Sequence, residues 1–160
     1  MIQFREVGKT YPDGTVAVDS FTYTVDDGRI VALVGSSGSG KTTLLRMVNR
    51  MVEPTRGSVL VAGRDVASLD RVALRRSIGY VLQAGGLLPH RTVIDNVATV
   101  PILQGVKRRE ARSAAAELLE RVGLSAAMGR RYPAQLSGGQ QQRVGVARAL
   151  AGDPTVLLMD

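Results

Sequence analysis

The stretch of residues 30–43 constrains this chain most, because it reads IVALVGSSGSGKTT. Its apolar beginning predicts a buried parallel strand over residues 30–34, and a glycine-rich loop follows. An amphipathic helix comes next, with apolar side chains at Leu44, Leu45, Met47 and Val48. Because a flexible Gly/Ser linker is not normally set between a strand and such a helix, the order strand, loop, helix favours a binding loop.

The loop matches the pattern of the phosphate-binding P-loop, in which Gly35 is followed after four residues by Gly40, Lys41 and Thr42. Glycines let the backbone fold round a phosphate with its N–H groups pointing inward. Lys41 adds a positive charge, and the Thr42 hydroxyl is the kind of oxygen ligand that Mg²⁺ prefers. The sequence therefore predicts a nucleotide site formed by Gly35, Ser36, Ser37, Gly38, Ser39, Gly40, Lys41, Thr42 and Thr43.

Composition restricts the class of protein. With 160 residues, 44% hydrophobic and 22% charged, the chain is typical of one globular domain. Its apolar runs are far shorter than a membrane span and its start does not resemble a signal peptide, so we expect a cytosolic chain. The absence of cysteine excludes disulfides and thiolate metal sites.

The net charge of +7 could indicate binding to nucleic acid, attraction to the anionic inner face of a membrane, or merely a basic part of a longer chain, and we favour the last. Lysines and arginines are scattered over several predicted elements, and the densest patch, residues 107–112, lies on a helix whose other face is apolar. Such a patch is more often a solvated face, so we expect no direct contact with nucleic acid.

Two segments, residues 2–11 and 16–25, alternate apolar and polar side chains and predict antiparallel strands joined by a turn at 12–14. Tyr11 ends the first strand, where its ring could stack on a purine base. Considered alone, Tyr11 is better explained as an ordinary aromatic at a strand end.

Further along, residues 57–63 predict a strand, 69–76 a short basic helix and 78–82 a buried strand. Gln83 follows the last of these at its carboxyl end, where ligands bind in open α/β sheets. Its amide oxygen could reach Mg²⁺ or the attacking water, although an isolated loop glutamine would be unremarkable.

Residues 84–135 predict an all-helical insertion. Gly85 and Gly86 form a hinge-like pair, and Thr92 with Asp95 is a helix-capping pattern that begins a helix continuing to Pro101. A second helix places apolar residues 111, 115, 118 and 122 on one face. His90, the sole histidine, reads as an ordinary loop residue or a partner contact.

The sequence LSGGQ at residues 136–140 predicts a second anion site. Ser137 followed by Gln140 is a helix N-cap pattern, and Gly138 and Gly139 expose backbone N–H groups there. Which phosphate this helix start would meet stays open. A buried strand then ends in Asp160, whose carboxylate would hold Mg²⁺ through a water.

In this order and spacing, these motifs resemble the ATP-binding subunit of an ABC transporter. Residues 78–101 are also similar to ATPases of bacterial importers for glycine betaine, choline and other quaternary-amine osmoprotectants. The resemblance implies an α/β fold with a P-loop NTPase parallel sheet core, an N-terminal antiparallel β subdomain and an inserted α-helical subdomain. The expected parts are the β subdomain and P-loop core at 1–83, the helical subdomain at 84–135, and the signature helix and Walker B strand at 136–160.

The resemblance also implies roles. Tyr11 would stack on the adenine of ATP, while Mg²⁺ would be served by Thr42, Gln83 and Asp160, the last two being catalytic. The LSGGQ residues would act on ATP held by a second copy, so that two copies sandwich two ATP molecules; these residues are Ser137, Gly138, Gly139 and Gln140. Further partners would be transmembrane permease subunits and a solute-binding protein, with the ATPase bound peripherally at the cytoplasmic face of the membrane.

This family continues past the position of Asp160 with a glutamate that orients the attacking water and a histidine that senses the γ-phosphate. We therefore expect the sequence to be a truncated domain that binds ATP and hydrolyses it poorly. Two alternatives remain: a soluble ABC-type ATPase acting on nucleic acid or ribosomes, and a non-catalytic nucleotide-binding module.

Overall fold

The computed structural model describes residues 1–83 and 86–160. They form two compact units, Met1–Arg75 and Arg76–Asp160. None of the helices in these described ranges is long and apolar enough to cross a membrane. The strands and helices are β1 (Ile2–Thr10), β2 (Val16–Val25), α1 (Lys41–Val48), β3 (Arg56–Val61), β4 (Arg64–Asp65), α2 (Arg71–Ser77), β5 (Ile78–Val81), α3 (Val93–Val97), α4 (Thr99–Leu103), α5 (Arg108–Arg121), α6 (Gly138–Leu150) and β6 (Val156–Met159).

The first unit is built on an antiparallel sheet in the order β2-β1-β3-β4. β1 lies between β2 and β3, and its Ile2 is opposite Val25 of β2 and Val61 of β3. The pairing of β1 with β2 confirms the two predicted antiparallel strands, and register shifts after Phe4 interrupt the regular alternation of their two faces.

Helix α1 packs against the sheet of the first unit through Leu44, Met47 and Val48, all buried. Apolar residues spaced three and four positions apart lie on one helix face, which explains why this face is covered. Burial of this face holds the start of α1, and with it the glycine-rich loop, beside strand β2.

The prediction of a parallel strand over residues 30–34 is wrong for this structure. These residues belong to no strand, and the side chains of Ile30 and Val34 are 101% and 94% exposed. A strand persists only when a neighbour satisfies its backbone N–H and C=O groups. In the part of the chain that the structure describes, β5 and β6 pair with each other and no strand pairs with residues 30–34.

The second unit combines a parallel pair of strands with a helical core. β5 and β6 run parallel, with Ile78 opposite Val156 and Val81 opposite Met159, and α6 packs against β5. Helices α3, α5 and α6 enclose a core that includes Val93, Val97, Ala111, Ala115, Leu119 and Val144. Together with the antiparallel sheet of the first unit, these elements confirm the expected α/β class.

The helical stretch differs from the prediction in detail. Instead of one helix ending at Pro101, α3 ends at Val97 and α4 continues through Pro101 to Leu103. Proline is tolerated here because the N–H groups of a first helical turn have no intrahelical partner to lose. Gly85, half of the predicted hinge-like pair, lies outside the described residues, as does Ala84. The three-part division at 83/84 and 135/136 stays a prediction.

Asn96 is a fully buried polar residue that holds the chain entering α3. Its Nδ2 donates to the carbonyl oxygens of Leu88, Arg91 and Thr92 at 3.0–3.1 Å, and its Oδ1 accepts from Leu88 N–H at 2.7 Å. An amide that bonds backbone groups on both sides of a loop takes the place of regular secondary structure there.

We expect Asn96→Ala to lower the free energy of unfolding by about 2–4 kcal/mol, because it leaves buried carbonyl and N–H groups without partners. Urea denaturation measures this loss. The matched control is Gln104→Ala, whose more exposed amide bonds the carbonyls of Arg76 and Gly152 at 3.2 and 3.4 Å and should cost less than about 1 kcal/mol. Equal losses in the two variants would contradict the bridging role of Asn96.

Candidate nucleotide-binding site

The glycine-rich loop has a backbone shape that only glycine adopts easily at two points. Gly38 and Gly40 have φ angles of +82° and +87°, in the left-handed region. A Cβ added at Gly40 would lie 2.4 Å from the carbonyl oxygen of Ala17 in β2. The loop thus passes close to the sheet and turns sharply into α1, as a phosphate-binding loop requires.

The Lys41 side chain folds back into this loop. Its Nζ donates to the carbonyl oxygens of Gly35 and Ser36 at 2.9 and 2.6 Å and to Ser39 Oγ at 3.1 Å. These acceptors are neutral, whereas a phosphate oxygen is charged, and charge-assisted hydrogen bonds are roughly twice as strong as neutral ones. The ammonium group is therefore placed where an anion entering the loop would draw it into a stronger contact.

The start of α1 adds to the positive character of the loop. Within this described helix, Gly40 provides no side-chain cap and the first turn contains no acidic residue. Backbone N–H groups at a helix start carry partial positive charge and bind phosphate well. Loop shape, ammonium and helix start therefore all fit a nucleotide phosphate.

Tyr11 follows β1 and begins a turn in which its N–H donates to Thr15 and its carbonyl accepts from Gly14. The ring is 36% exposed, and Lys9 Nζ lies 5.3 Å from the ring centroid. An exposed ring at the end of a strand suits stacking against a flat ligand. Its role with adenine stays a prediction.

Gln83 and Asp160 lie beyond the carboxyl ends of neighbouring parallel strands. Gln83 is exposed in a turn two residues after Val81, the end of β5, and Asp160 directly follows β6. The Asp160 N–H donates to the Val81 carbonyl at 3.0 Å, which extends the ladder to the carboxylate-bearing residue. The structure thus brings these two predicted residues to one edge of the sheet, where ligands bind in α/β folds.

The contact between Tyr80 and Asp160 was not predicted from the sequence. The Tyr80 hydroxyl donates to Asp160 Oδ2 at 3.1 Å. Only the pairing of the two strands could have predicted this contact, because a parallel register over residues 78–81 and 156–159 puts Tyr80 on the same face as Asp160. That register is not encoded locally in either strand.

The start of α6 has the geometry predicted for LSGGQ. Ser137 Oγ accepts from Gln140 N–H at 3.3 Å, and Gln140 Oε1 accepts from Ser137 N–H at 3.0 Å. Leu136 is buried and anchors this capping box, while Ser137, Gly138 and Gly139 are exposed. A Cβ added at either glycine would meet nothing within 4 Å, so the helix start is open to a large partner.

The side-chain oxygens of the predicted metal ligands suit Mg²⁺ better than a transition metal. The described residues contain no cluster of three His, Cys, Asp or Glu side chains that could hold a metal ion. Mg²⁺ needs no such cluster, because it keeps several waters and takes one or two protein oxygens together with phosphate oxygens. The oxygen ligands predicted from the sequence, on Thr42, Gln83 and Asp160, are of this kind, and that they serve one Mg²⁺ stays a prediction.

A separate cavity of about 360 Å³ lies in the helical part of the second unit. His90, which the sequence predicted to be an ordinary loop residue or a partner contact, lies on the wall of this cavity. Cationic side chains outnumber the one carboxylate, Asp95, in the set that lines it: His90, Arg91, Thr92, Asp95, Ile102, Arg108 and Tyr132.

Asp95 is held by several partners at the start of α3. Thr92 Oγ1 donates to its Oδ2 at 2.8 Å, and guanidinium nitrogens of Arg108 and Arg112 lie 3.5 and 3.6 Å from its Oδ1. Burial by itself raises the pKa of this carboxyl, but the Thr92 hydrogen bond and the charges of Arg112 and Arg108 outweigh burial and lower it below the usual value.

This lowered pKa predicts a loss of stability in acid. A group with a depressed folded pKa stabilises the protein above its unfolded pKa, about 3.9 for aspartate, and loses that contribution as pH falls through the folded pKa. We expect Asp95→Asn to lower the melting temperature at pH 7, and this difference to shrink as the pH falls below about 4. Calorimetry over this pH range measures it, with the exposed Asp19→Asn as control. A difference independent of pH would contradict the assignment.

The chain is similar in sequence to a known protein family. A sequence model of the family described as ABC transporter matches residues 18–160. The carnitine transport ATP-binding protein OpuCA of Listeria monocytogenes is 46% identical over 160 residues, which are all of this chain and 40% of OpuCA. The glycine betaine uptake system ATP-binding protein YehX of Escherichia coli is 48% identical over the whole chain and 52% of its own length. The chain therefore spans about half or less of these curated relatives.

The fold is also similar to a solved structure. The ATP-binding cassette MJ0796, described as a dimer in a post-hydrolysis state bound to ADP and Pi, matches with a TM-score of 0.92 and 36% identity. The match covers all of this chain and 73% of that one.

Proposed function

The chain belongs to the ABC transporter family, and on that premise we propose that it binds MgATP and serves as the ATPase subunit of a solute transporter. The observation that carries the proposal is the Lys41 ammonium, which lies inside a glycine-rich loop at a helix start and bonds three oxygen atoms of that loop. Few arrangements other than a nucleotide-phosphate site bring a lysine ammonium and the N–H groups of a helix start to one place.

Different residues would bind the different parts of MgATP. Lys41 and the loop backbone would hold the phosphates, and the exposed ring of Tyr11 would stack on adenine. Thr42, Gln83 and Asp160 would hold Mg²⁺, which neutralises charge on the phosphates when bound. Gln83 would in addition orient the attacking water.

The exposed start of α6 supports a second copy as partner. Ser137, Gly138, Gly139 and Gln140 present an open helix N-terminus, which would meet the γ-phosphate of ATP bound to another subunit. Two copies would then enclose two nucleotides, and closure followed by release would drive the membrane partners between states.

Transmembrane permease subunits are the proposed membrane partners, with a solute-binding protein delivering the solute. The helical part of the second unit would contact the permease. In support, its cavity is walled by His90, Arg91 and Arg108 with a surplus of positive charge, which suits acidic groups of another protein. The chain would accordingly act at the cytoplasmic face of the cell membrane, bound peripherally through these subunits.

The solute we propose is a quaternary-amine osmoprotectant such as glycine betaine, taken up into the cell. The support is the similarity to OpuCA and YehX, which are a carnitine transport and a glycine betaine uptake ATP-binding protein. Uptake of radiolabelled glycine betaine by cells with and without the gene tests this choice. Unchanged glycine betaine uptake after deletion, with loss of uptake of another solute, would overturn it while leaving the ATPase proposal intact.

Isothermal titration with ATP, with and without Mg²⁺, tests the central proposal. We expect saturable binding that Mg²⁺ strengthens, and dimerisation on MgATP that sedimentation detects. No binding would overturn the proposal. Phosphate release, measured in the same samples, tests the expectation of poor hydrolysis, and MgATP-dependent dimerisation without turnover would favour a non-catalytic nucleotide-binding module.

A further inference from the structure

Two hydrogen bonds meet at the end of the parallel strand pair. The backbone of Asp160 is fixed by its N–H bond to the Val81 carbonyl, at 3.0 Å. The side chain of Asp160 accepts from the Tyr80 hydroxyl at 3.1 Å. Both ends of the residue are thus attached to β5, and Val81 and Leu158 on either side are buried.

The reach of Tyr80 follows from the register. Tyr80 lies opposite Leu158, and Asp160 is two residues further along the neighbouring strand. Side chains two residues apart share a face, and two residues of strand span about 6.6 Å. A tyrosine ring and hydroxyl are long enough to cover that distance, whereas an aliphatic side chain at position 80 would stop short of the carboxylate.

We propose that Tyr80 is a positioning residue for the Mg²⁺ site, acting through Asp160. Its hydroxyl restrains rotation of the carboxylate, so that the oxygens are oriented before the ion arrives. Partners that orient a ligating carboxylate commonly affect metal affinity about 10- to 100-fold. This inference rests on the proposed function, because it requires that Asp160 serves Mg²⁺.

A purely structural role makes a different prediction. If Tyr80 only filled space beside Leu158, phenylalanine would replace it without loss, because the ring and its packing are retained. If the hydroxyl orients Asp160, phenylalanine keeps the fold and loses the orientation.

The test is Tyr80→Phe in the purified chain, with a non-hydrolysable ATP analogue as probe. Calorimetry measures analogue affinity in EDTA and at a series of Mg²⁺ concentrations, and electron paramagnetic resonance measures Mn²⁺ binding to the same complex. We expect Tyr80→Phe to need about a tenfold higher Mg²⁺ concentration for the half-maximal increase in analogue affinity. Its analogue affinity in EDTA should stay within about twofold of wild type. Tyr23→Phe, which removes an exposed phenolic hydroxyl from β2, is the matched control and should behave as wild type.

The outcomes separate the two proposals. Tyr80→Phe with wild-type Mg²⁺ and Mn²⁺ dependence overturns the role of Tyr80 alone, and Asp160→Asn supplies the reference for complete loss of that dependence. A wild-type chain that binds no analogue, or binds it without regard to Mg²⁺, overturns the proposed function and the role of Tyr80 with it. Melting temperatures equal to wild type verify that Tyr80→Phe is folded.

Discussion

Replacing Lys41 with alanine is expected to weaken ATP binding roughly 30- to 150-fold, equivalent to about 2–3 kcal/mol for hydrogen bonds between a charged donor and a phosphate. The ammonium already lies within the loop, bonded to Gly35, Ser36 and Ser39, so little has to move when the anion binds. Calorimetric titration with MgATP measures the change.

Two further variants sharpen this prediction. Lys41→Gln keeps a hydrogen-bond donor without the charge, and we expect it to bind almost as weakly as Lys41→Ala, because the phosphate requires charge neutralisation. The control is Lys107→Ala, an exposed lysine at the start of α5, which should leave affinity unchanged. Wild-type affinity in Lys41→Ala would mean that phosphate does not enter this loop.

Replacing Gly57 with alanine is expected to destabilise the first unit by about 2–5 kcal/mol. Gly57, the second residue of β3, has a φ angle of +74°, and an added Cβ would lie 2.3 Å from the carbonyl oxygens of both Arg5 and Glu6. Those carbonyls belong to an irregular part of β1, where the register shifts between Arg5 and Gly8. The clash is with the backbone of β1, which pairs with both β2 and β3, so relieving it disturbs both pairings.

Gly63 is the matched control for this effect. Its φ angle is +75°, nearly the same as that of Gly57, yet an added Cβ would meet nothing within 4 Å. Gly63→Ala should therefore show only the cost of the left-handed backbone, about 1–2 kcal/mol. Urea denaturation of both variants separates the two contributions. Equal losses would show that close approach at Gly57 adds nothing.

The sequence predicted best what depends on neighbours within a few residues. The capping box of Ser137 and Gln140 and the start of α3 at Thr92 are local hydrogen bonds, and both form as expected. The turn between β1 and β2 is equally local. The phosphate-binding loop belongs to this group, because its glycines and Lys41 act within a span of seven residues, 35–41.

Prediction failed where one segment depends on a distant one. An apolar run such as residues 30–34 has the composition of a buried strand, but composition cannot supply a hydrogen-bonded neighbour, and the run is exposed in this structure. The role of Asn96 could not be predicted from the sequence either, because its amide bonds backbone carbonyl groups that only the folded loop brings near it.

By itself, then, the sequence determined the α/β class, the family and the residues expected to touch nucleotide, since motifs carry their chemistry in short, ordered spacing. Only the tertiary structure decided that Tyr80 reaches Asp160, eighty residues away, and that Gly57 lies against the carbonyls of Arg5 and Glu6. Such contacts follow from strand register. Register is selected by the energy of the whole sheet and its core, which no single stretch of the chain encodes.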